Sequence, residues 1–282
     1  MTLPSPRIRP LTCLLALLLV GSALTGQDDG AARALAGAYQ KSKLMVAISD
    51  VAWRPGLCLA VGRLPVGGTL SLDLPLEAGY EYTFVGSGEE ALGDLDLHLL
   101  DAGGQALTAD REDDDTPIVT FAPTDDGAYR LQLHAVAADR PEVFVSVGLL
   151  RSGGRPLADA DYRALTQRLA AAEPVTAPNG DGDWVLYAAL LPADGITLER
   201  PAAAATGFAL SSFGNPAHHP EFYLLPPGQT RPRLATADGA GRSRLPGPAD
   251  PAGAYRLRVQ PPERSTADHP LLLIRATDAP PE

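Results

Sequence analysis

The chain has 282 residues, 45% of them hydrophobic, and a formal net charge of −11. That length and apolar content exclude a wholly disordered chain and suit one large or two modest domains. The acidity argues against binding nucleic acid or anionic lipid, whose phosphates reward basic surfaces.

Arg7 and Arg9 precede an apolar run from Leu11 to Val20 and a small-residue exit at Gly21, Ser22 and Ala23. This is the layout of a secretory signal peptide over residues 1–26, with cleavage after Ala23 or Gly26. The run is too short to cross a bilayer, and no later stretch approaches a transmembrane span. Export to the periplasm or the outside of the cell is therefore expected. Cys13 lies inside the apolar run, badly placed for lipidation, and its loss leaves Cys58 as the single cysteine of the mature chain. No intrachain disulfide can then form, and Cys58 in "GLCLAVG" reads as a buried thiol. Lys41 and Lys43 are the only lysines, and richness in Arg, Ala, Gly and Pro reads as bacterial genome bias.

A helix is expected in "GAARALAGAYQKSK" (30–43), where Leu35 and Tyr39 are spaced i, i+4. Strands follow. Apolar and polar residues alternate through Leu70, Leu72 and Leu74, through Tyr80, Tyr82 and Phe84, through Leu95, Leu97 and Leu99, and through Tyr129, Leu131 and Leu133. A period of two buries one face of each strand. With "LCLAVG", "PIVTFA" and "VFVSVGLL" added, about seven strands are expected, divided by turns such as "DAGG" and "PTDDG". So many short strands in about a hundred residues describe a β-sandwich.

After the Gly/Pro-rich "RSGGRPL" the order repeats. A second helix is expected in "DADYRALTQRLAAAE", with Tyr162, Leu165 and Leu169 on one face and Asp159 or Asp161 as N-cap. Beyond it Pro65 corresponds to Pro192, Gly79 to Gly207, Leu100 to Leu225 and Tyr129 to Tyr255, at a near-constant offset of 125 to 128 residues. Collinear matches of this kind mark an internal duplication. The expected fold is therefore mainly β: two tandem β-sandwich domains of jelly-roll or immunoglobulin-like type, each preceded by a short helix. The first occupies residues 27–152 and the second, diverged copy residues 153–282. In both, a Tyr follows a tight turn ("DDGAYRLQL", "PAGAYRLRV"), which suits a ring folded into a sandwich corner with its hydroxyl on the preceding backbone. Tyr129 and Tyr255 are thus read as structural.

The segments "GYEYTF", "GDLDLHLLDAGGQALTAD" and "TPIVTFAPTDDGAYRLQL" resemble the bacterial pre-peptidase C-terminal domain, a noncatalytic β-sandwich of secreted proteins, over about residues 57–150. The resemblance implies secretion and an accessory or binding role, and some members of that family bind calcium or collagen. No catalytic domain accompanies the sandwiches, which sets aside an accessory role to an attached enzyme. The second copy also reads "HPE" (219–221) where the first has "DLD" (94–96), so a role for those carboxylates does not carry over.

Candidate chemistry is sparse. Asp94 and Asp96 lie on one strand, and "DREDDD" (110–115) follows the next. Clustered carboxylates suit a hard cation, so calcium on Asp110, Asp113, Asp114 and Asp115 stands against a solvated acidic edge that discourages sheet pairing. His218, His219 and Glu221 are too few for a zinc site, and adjacent histidines on an extended chain point apart. There is no H-E-x-x-H, no G-x-S-x-G and no phosphate loop, since "GSGEE" lacks the lysine. Trp53 and Trp184 precede the first strand of their copies, where they can pack the helix or stack on a sugar. The sequence thus reads as no enzyme but an exported binding or accessory protein, its partner another protein or an extracellular polymer. A carbohydrate-binding module is the alternative, and a hydrolase of unrecognised type the remaining one.

Overall fold

A computed structural model describes residues 30–171 continuously and, beyond them, strands and a few adjoining residues between 184 and 279. The signal-like segment and "NPAHH" (215–219) lie outside the described residues, as do the side chains of Trp184, Tyr255, Leu165 and Leu169.

The first half opens with helix α1 (Gly30–Ile48) and continues through β1 (Val51–Trp53), β2 (Gly56–Pro65), β3 (Thr69–Leu76), β4 (Tyr82–Gly88), β5 (Leu92–Leu100), β6 (Ala106–Asp110), β7 (Ile118–Phe121), β8 (Gly127–Ala138) and β9 (Glu142–Ser152). Helix α2 (Asp159–Ala171) leads to β10 (Trp184–Leu190), β11 (Ile196–Pro201), β12 (Gly207–Phe213), β13 (Glu221–Leu225), β14 (Arg233–Leu234), β15 (Arg242–Leu245), β16 (Ala254–Gln260) and β17 (Leu271–Ala279). The architecture is mainly β, two tandem sandwiches, as the alternation predicts. Two strands of the first half, the short β1 and β6, come in addition to the seven expected; β6 has mostly exposed residues and so no apolar alternation to announce it.

Strand order is the same in both halves. One layer runs β2-β9-β4-β7 in the first and β10-β17-β12-β15 in the second; the other runs β3-β8-β5-β6 and β11-β16-β13-β14. The two upper layers join, because β2 pairs antiparallel with β10, and a nine-stranded sheet crosses the whole chain. Carried back to these strands, an offset of 127 makes Tyr187 the counterpart of Ala60, and those two residues face each other across the seam. The first strands of the two copies therefore meet about a local twofold axis. In the other layer β3 and β11 approach across the same axis without pairing, and the two four-stranded sheets stay separate.

Two cores sandwich the upper sheet. Between the layers, Leu70, Leu72 and Leu74 of β3 and Leu95, Leu97 and Leu99 of β5 pack against Phe84, Val145 and Val147. On the outer face lies α1, whose buried stripe is small: Gly30, Ala31, Ala34, Leu35, Ala38, Tyr39 and Ser42. These allow a close approach, so Ser146 Oγ donates to Ala34 O at 2.7 Å, and a Cβ on Gly37 would meet Ser87 Oγ at 2.5 Å. Covered on both sides, β2 is apolar throughout most of its length. The pairing with β10 skips a residue at Cys58, and this bulge turns both Cys58 and Leu59 toward the helix core.

Helix α2 begins on the Ala158 carbonyl, which accepts from Asp161 N and Tyr162 N. Asp159 is not a cap. Its carboxylate accepts from Tyr39 Oη at 2.7 Å and from Lys43 Nζ at 2.8 Å, tying α2 to α1 and holding the Asp159 pKa below the usual carboxylate range.

Candidate functional site

Trp53 does not offer a stacking platform. Its indole is only 2% exposed, lies 5.4 Å from the Tyr39 ring in a stacked arrangement, and is walled in by the helix core. Tyr39 stacks in turn on Tyr162 of α2. The sugar-binding role expected as one alternative for Trp53 is thereby corrected in favour of packing: a ring with no free face cannot receive a ligand.

The acidic loop also differs from a calcium cage. Asp110 accepts from the backbone N–H groups of Glu112 and Ile118, and Asp114 from that of Thr116. Asp115 accepts from Thr116 Oγ1 and from Lys41 of α1. Partial burial would raise its pKa, but those hydrogen bonds and the Lys41 charge hold it below the usual range. Asp113 stands near Asp94, which burial first, and then the charges of Asp96, Asp113 and Asp114, push upward. Among the described residues no three His, Cys, Asp or Glu side chains converge on a point that could hold a metal ion. The oxygens of Asp110, Asp114 and Asp115 close turns and anchor the helix instead. Millimolar calcium or a chelator is accordingly expected to leave the melting temperature of the mature chain unchanged, as scanning calorimetry would check.

Asp94 Oδ1 is shielded and has no hydrogen-bond partner. An aspartate whose folded pKa is raised destabilises the fold once it ionises. Asp94→Asn is therefore expected to raise the melting temperature at pH 7. The gain should vanish as the pH falls through the raised pKa, where the native side chain is already neutral. Melts at a series of pH values would show it.

Tyr129 sits where β8 leaves its turn, and its hydroxyl donates to Asp125 O at 3.1 Å while its ring packs against Phe121. Tyr129→Phe should lower stability by about 0.5–1.5 kcal/mol, the net value of one hydrogen bond, measured by urea denaturation. The corresponding side chain of Tyr255 lies outside the described residues.

A cleft of about 380 Å³ opens where the two copies meet, lined by Arg54, Gly56, Tyr82 and Arg151 among others from the first half and by Gly195, Ile196 and Thr197 from the second. The chain turns there on Gly56 and Gly195, whose φ angles of 83° and 79° lie in the left-handed region that favours glycine. Between β3 and β11 the sheet layer is interrupted, and the gap forms the cleft. Arg54 donates Nη1 to Leu57 O at 3.2 Å and Nη2 to Pro75 O at 2.8 Å, and among the described residues no carboxylate lies within ion-pair distance of it. Desolvation holds its pKa below the ordinary value for arginine; Tyr82 and the Glu77 carboxylate act in the opposite sense, and the like charge of Arg151 adds to the lowering. Arg151, its side chain 15% exposed, donates Nη1 to Glu77 at 3.1 Å and lies 4.1 Å from the Tyr80 ring centroid. Its Nε–H is buried without a hydrogen-bond partner. Sequence reasoning passed over both arginines, because neither sits in a motif and only the folding of β1, β3, β9 and β11 brings them to one place.

The chain matches no protein-family model and no curated protein. Among solved structures it is similar to the tandem CBM51 modules of a family 98 glycoside hydrolase from Streptococcus pneumoniae, at 10% identity and a TM-score of 0.22 over 77% of this chain and 84% of that one. The PBSX exported protein XepA gives 9% identity and a TM-score of 0.24 over 77% and 84%. The tandem CBM22 domains of a Paenibacillus barcinonensis protein give 9% and 0.20 over 80% and 79%. Likenesses this loose transfer neither a ligand nor a residue role. Among the described residues no helix is long and apolar enough to cross a membrane.

Proposed function

We propose that the chain is an exported, noncatalytic binding or accessory protein of the bacterial envelope or extracellular space, presenting tandem β-sandwiches to a protein or polymer partner. The observation that carries this reading is the β2–β10 seam, which fuses two sandwiches into one sheet and fixes their end loops relative to each other. A rigid double module is suited to displaying contact surfaces. The signal-like residues 1–26 supply the route out of the cell. Kinship with the pre-peptidase C-terminal domain belongs to this proposal and rests on the segments between about residues 57 and 150.

The test begins with the full chain carrying a C-terminal tag, expressed in a bacterial host and fractionated. A mature form starting at residue 24 or 27 in the periplasm or medium is expected, and an uncleaved cytoplasmic product would overturn export. The purified mature chain is then mixed with insoluble cell-wall polymers, xylan, cellulose and chitin, and with immobilised envelope proteins of the source bacterium. Saturable retention on one of them without release of sugars or peptides is the expected result; steady turnover of any of them would make the protein an enzyme.

A further inference from the structure

The solvent face of the β3-β8-β5-β6 layer carries a relay of three side chains. His98 stands on β5 between Gln132 of β8 and Ala109 of β6, while Leu97 and Leu99 beside it point into the core. Arg111, where the chain leaves β6 for β7, brings Nη2 to 3.4 Å from His98 Nδ1, and Asp96 Oδ2 lies 3.5 Å from His98 Nε2. The imidazole and the carboxylate are each only 18% exposed, which limits the water that competes for them. A guanidinium can only donate. His98 Nδ1 is therefore the accepting nitrogen, and the ring proton sits on Nε2, turned to Asp96. That order needs a neutral ring: a proton on Nδ1 removes the acceptor and sets two cations in contact.

We propose that His98 is a proton-operated hook for the turn between β6 and β7. Neutral, it holds Arg111 and with it the acidic residues Glu112, Asp113 and Asp114 against β5; protonated, it pairs with Asp96 and releases the arginine. The docked turn is marked by Leu95 N, which donates to Asp114 O at 2.9 Å. Beyond it, the contacts of Lys41 with Asp115 and of Gly86 N with Pro117 O hold in both states, so the change stays local and reaches neither core. Of the other charges around the ring, Asp110 is taken by the N–H groups of Glu112 and Ile118, Arg130 by Asp73, and His134, opposite Asp96, by Thr69 Oγ1 and Gly68 O. Asp94 works against the hook. With its pKa raised it is neutralised early as the pH falls, which eases its repulsion of Asp113 and Asp114 and favours docking. Its replacement isolates the effect of His98.

The mature chain carrying Asp94→Asn is followed by nuclear magnetic resonance through the His98 ring and the Leu95 amide. Arg111→Gln should raise the His98 titration midpoint by about half a pH unit or more, since the guanidinium no longer opposes the proton, and Asp96→Asn should lower it. Exchange of the Leu95 amide, corrected for the intrinsic pH dependence of exchange, should speed about two- to tenfold from about pH 8 to about pH 5, the span in which imidazole changes charge; that factor is the worth of one hydrogen bond. His98→Gln, whose amide oxygen accepts from Arg111 at any pH, should abolish that response. Arg111 is exposed and these substitutions leave the leucine core untouched, so native amide shifts of Leu131 and Leu133 are expected in each variant. A midpoint that stays or falls in Arg111→Gln, a Leu95 amide indifferent to pH, or a response that persists in His98→Gln would overturn the hook.

Discussion

Trp53→Ala is expected to remove about 3–5 kcal/mol from the stability of the first sandwich, the range for deleting a buried aromatic ring. Trp53 is among the largest fully buried side chains, and it holds three elements at once. Its backbone N–H donates to Arg155 O and its carbonyl accepts from Arg155 N, which fastens the start of the connector to α2. Its ring supports Tyr39 of α1, and Tyr39 supports Tyr162 of α2. Removing the indole opens a cavity beneath both helices. Urea denaturation followed by tyrosine absorbance and far-ultraviolet dichroism should show the first transition shifted to lower urea with an unchanged slope. Trp53→Phe, which keeps a ring for Tyr39 to stack on, should recover much of the loss. A chain that loses polymer retention but keeps its stability on Trp53→Ala would return Trp53 to the role of a ligand platform.

The same residue shows what could be read in advance. The position of Trp53 before the first strand was consistent with packing or with sugar stacking, and only the path of α1 over the sheet decides between them. Alternation at Leu70–Leu74 and Leu95–Leu99 announced strands with one buried face, and the structure places those leucines in the inter-layer core. The repeated phrase around Tyr129 and Tyr255 announced two similar halves, and the strand orders repeat. The acidic run from Asp110 to Asp115 left calcium and a solvated edge both open, because composition reports the number of carboxylates and not where their oxygens point; short-range hydrogen bonds from Glu112, Thr116 and Ile118 claim those of Asp110 and Asp114. The cleft was illegible for a different reason. Arg54, Arg151 and Ile196 are far apart in sequence and become neighbours only through non-local pairing, which leaves no local pattern.

A chain that stops after Ala171 should dimerise through β2. In the full protein β10 covers that edge along Gly56–Gly62, and its removal strips partners from a row of backbone N–H and C=O groups on a strand that is apolar over most of its length. Exposed edges of this kind pair with another chain. The alternative, simple fraying of β2, is opposed by β9, which pairs the other edge from Leu59 to Pro65, and by the cores on both faces. The geometry for self-pairing is already present: Ala60 faces its counterpart Tyr187, so β10 occupies the place that a second β2 would take in an antiparallel, twofold-symmetric contact centred on Ala60. Symmetric pairing of one surface with itself closes at two copies. Sedimentation equilibrium should therefore give residues 27–171 twice their monomer mass, falling on dilution, while residues 27–282 stay monomeric under the same conditions because β10 fills the edge. A truncated chain that remains monomeric and keeps its melting temperature at every concentration would mean that the seam contributes little, and the two sandwiches would then be neighbours joined by a tether and not one continuous sheet held by its central pair of strands.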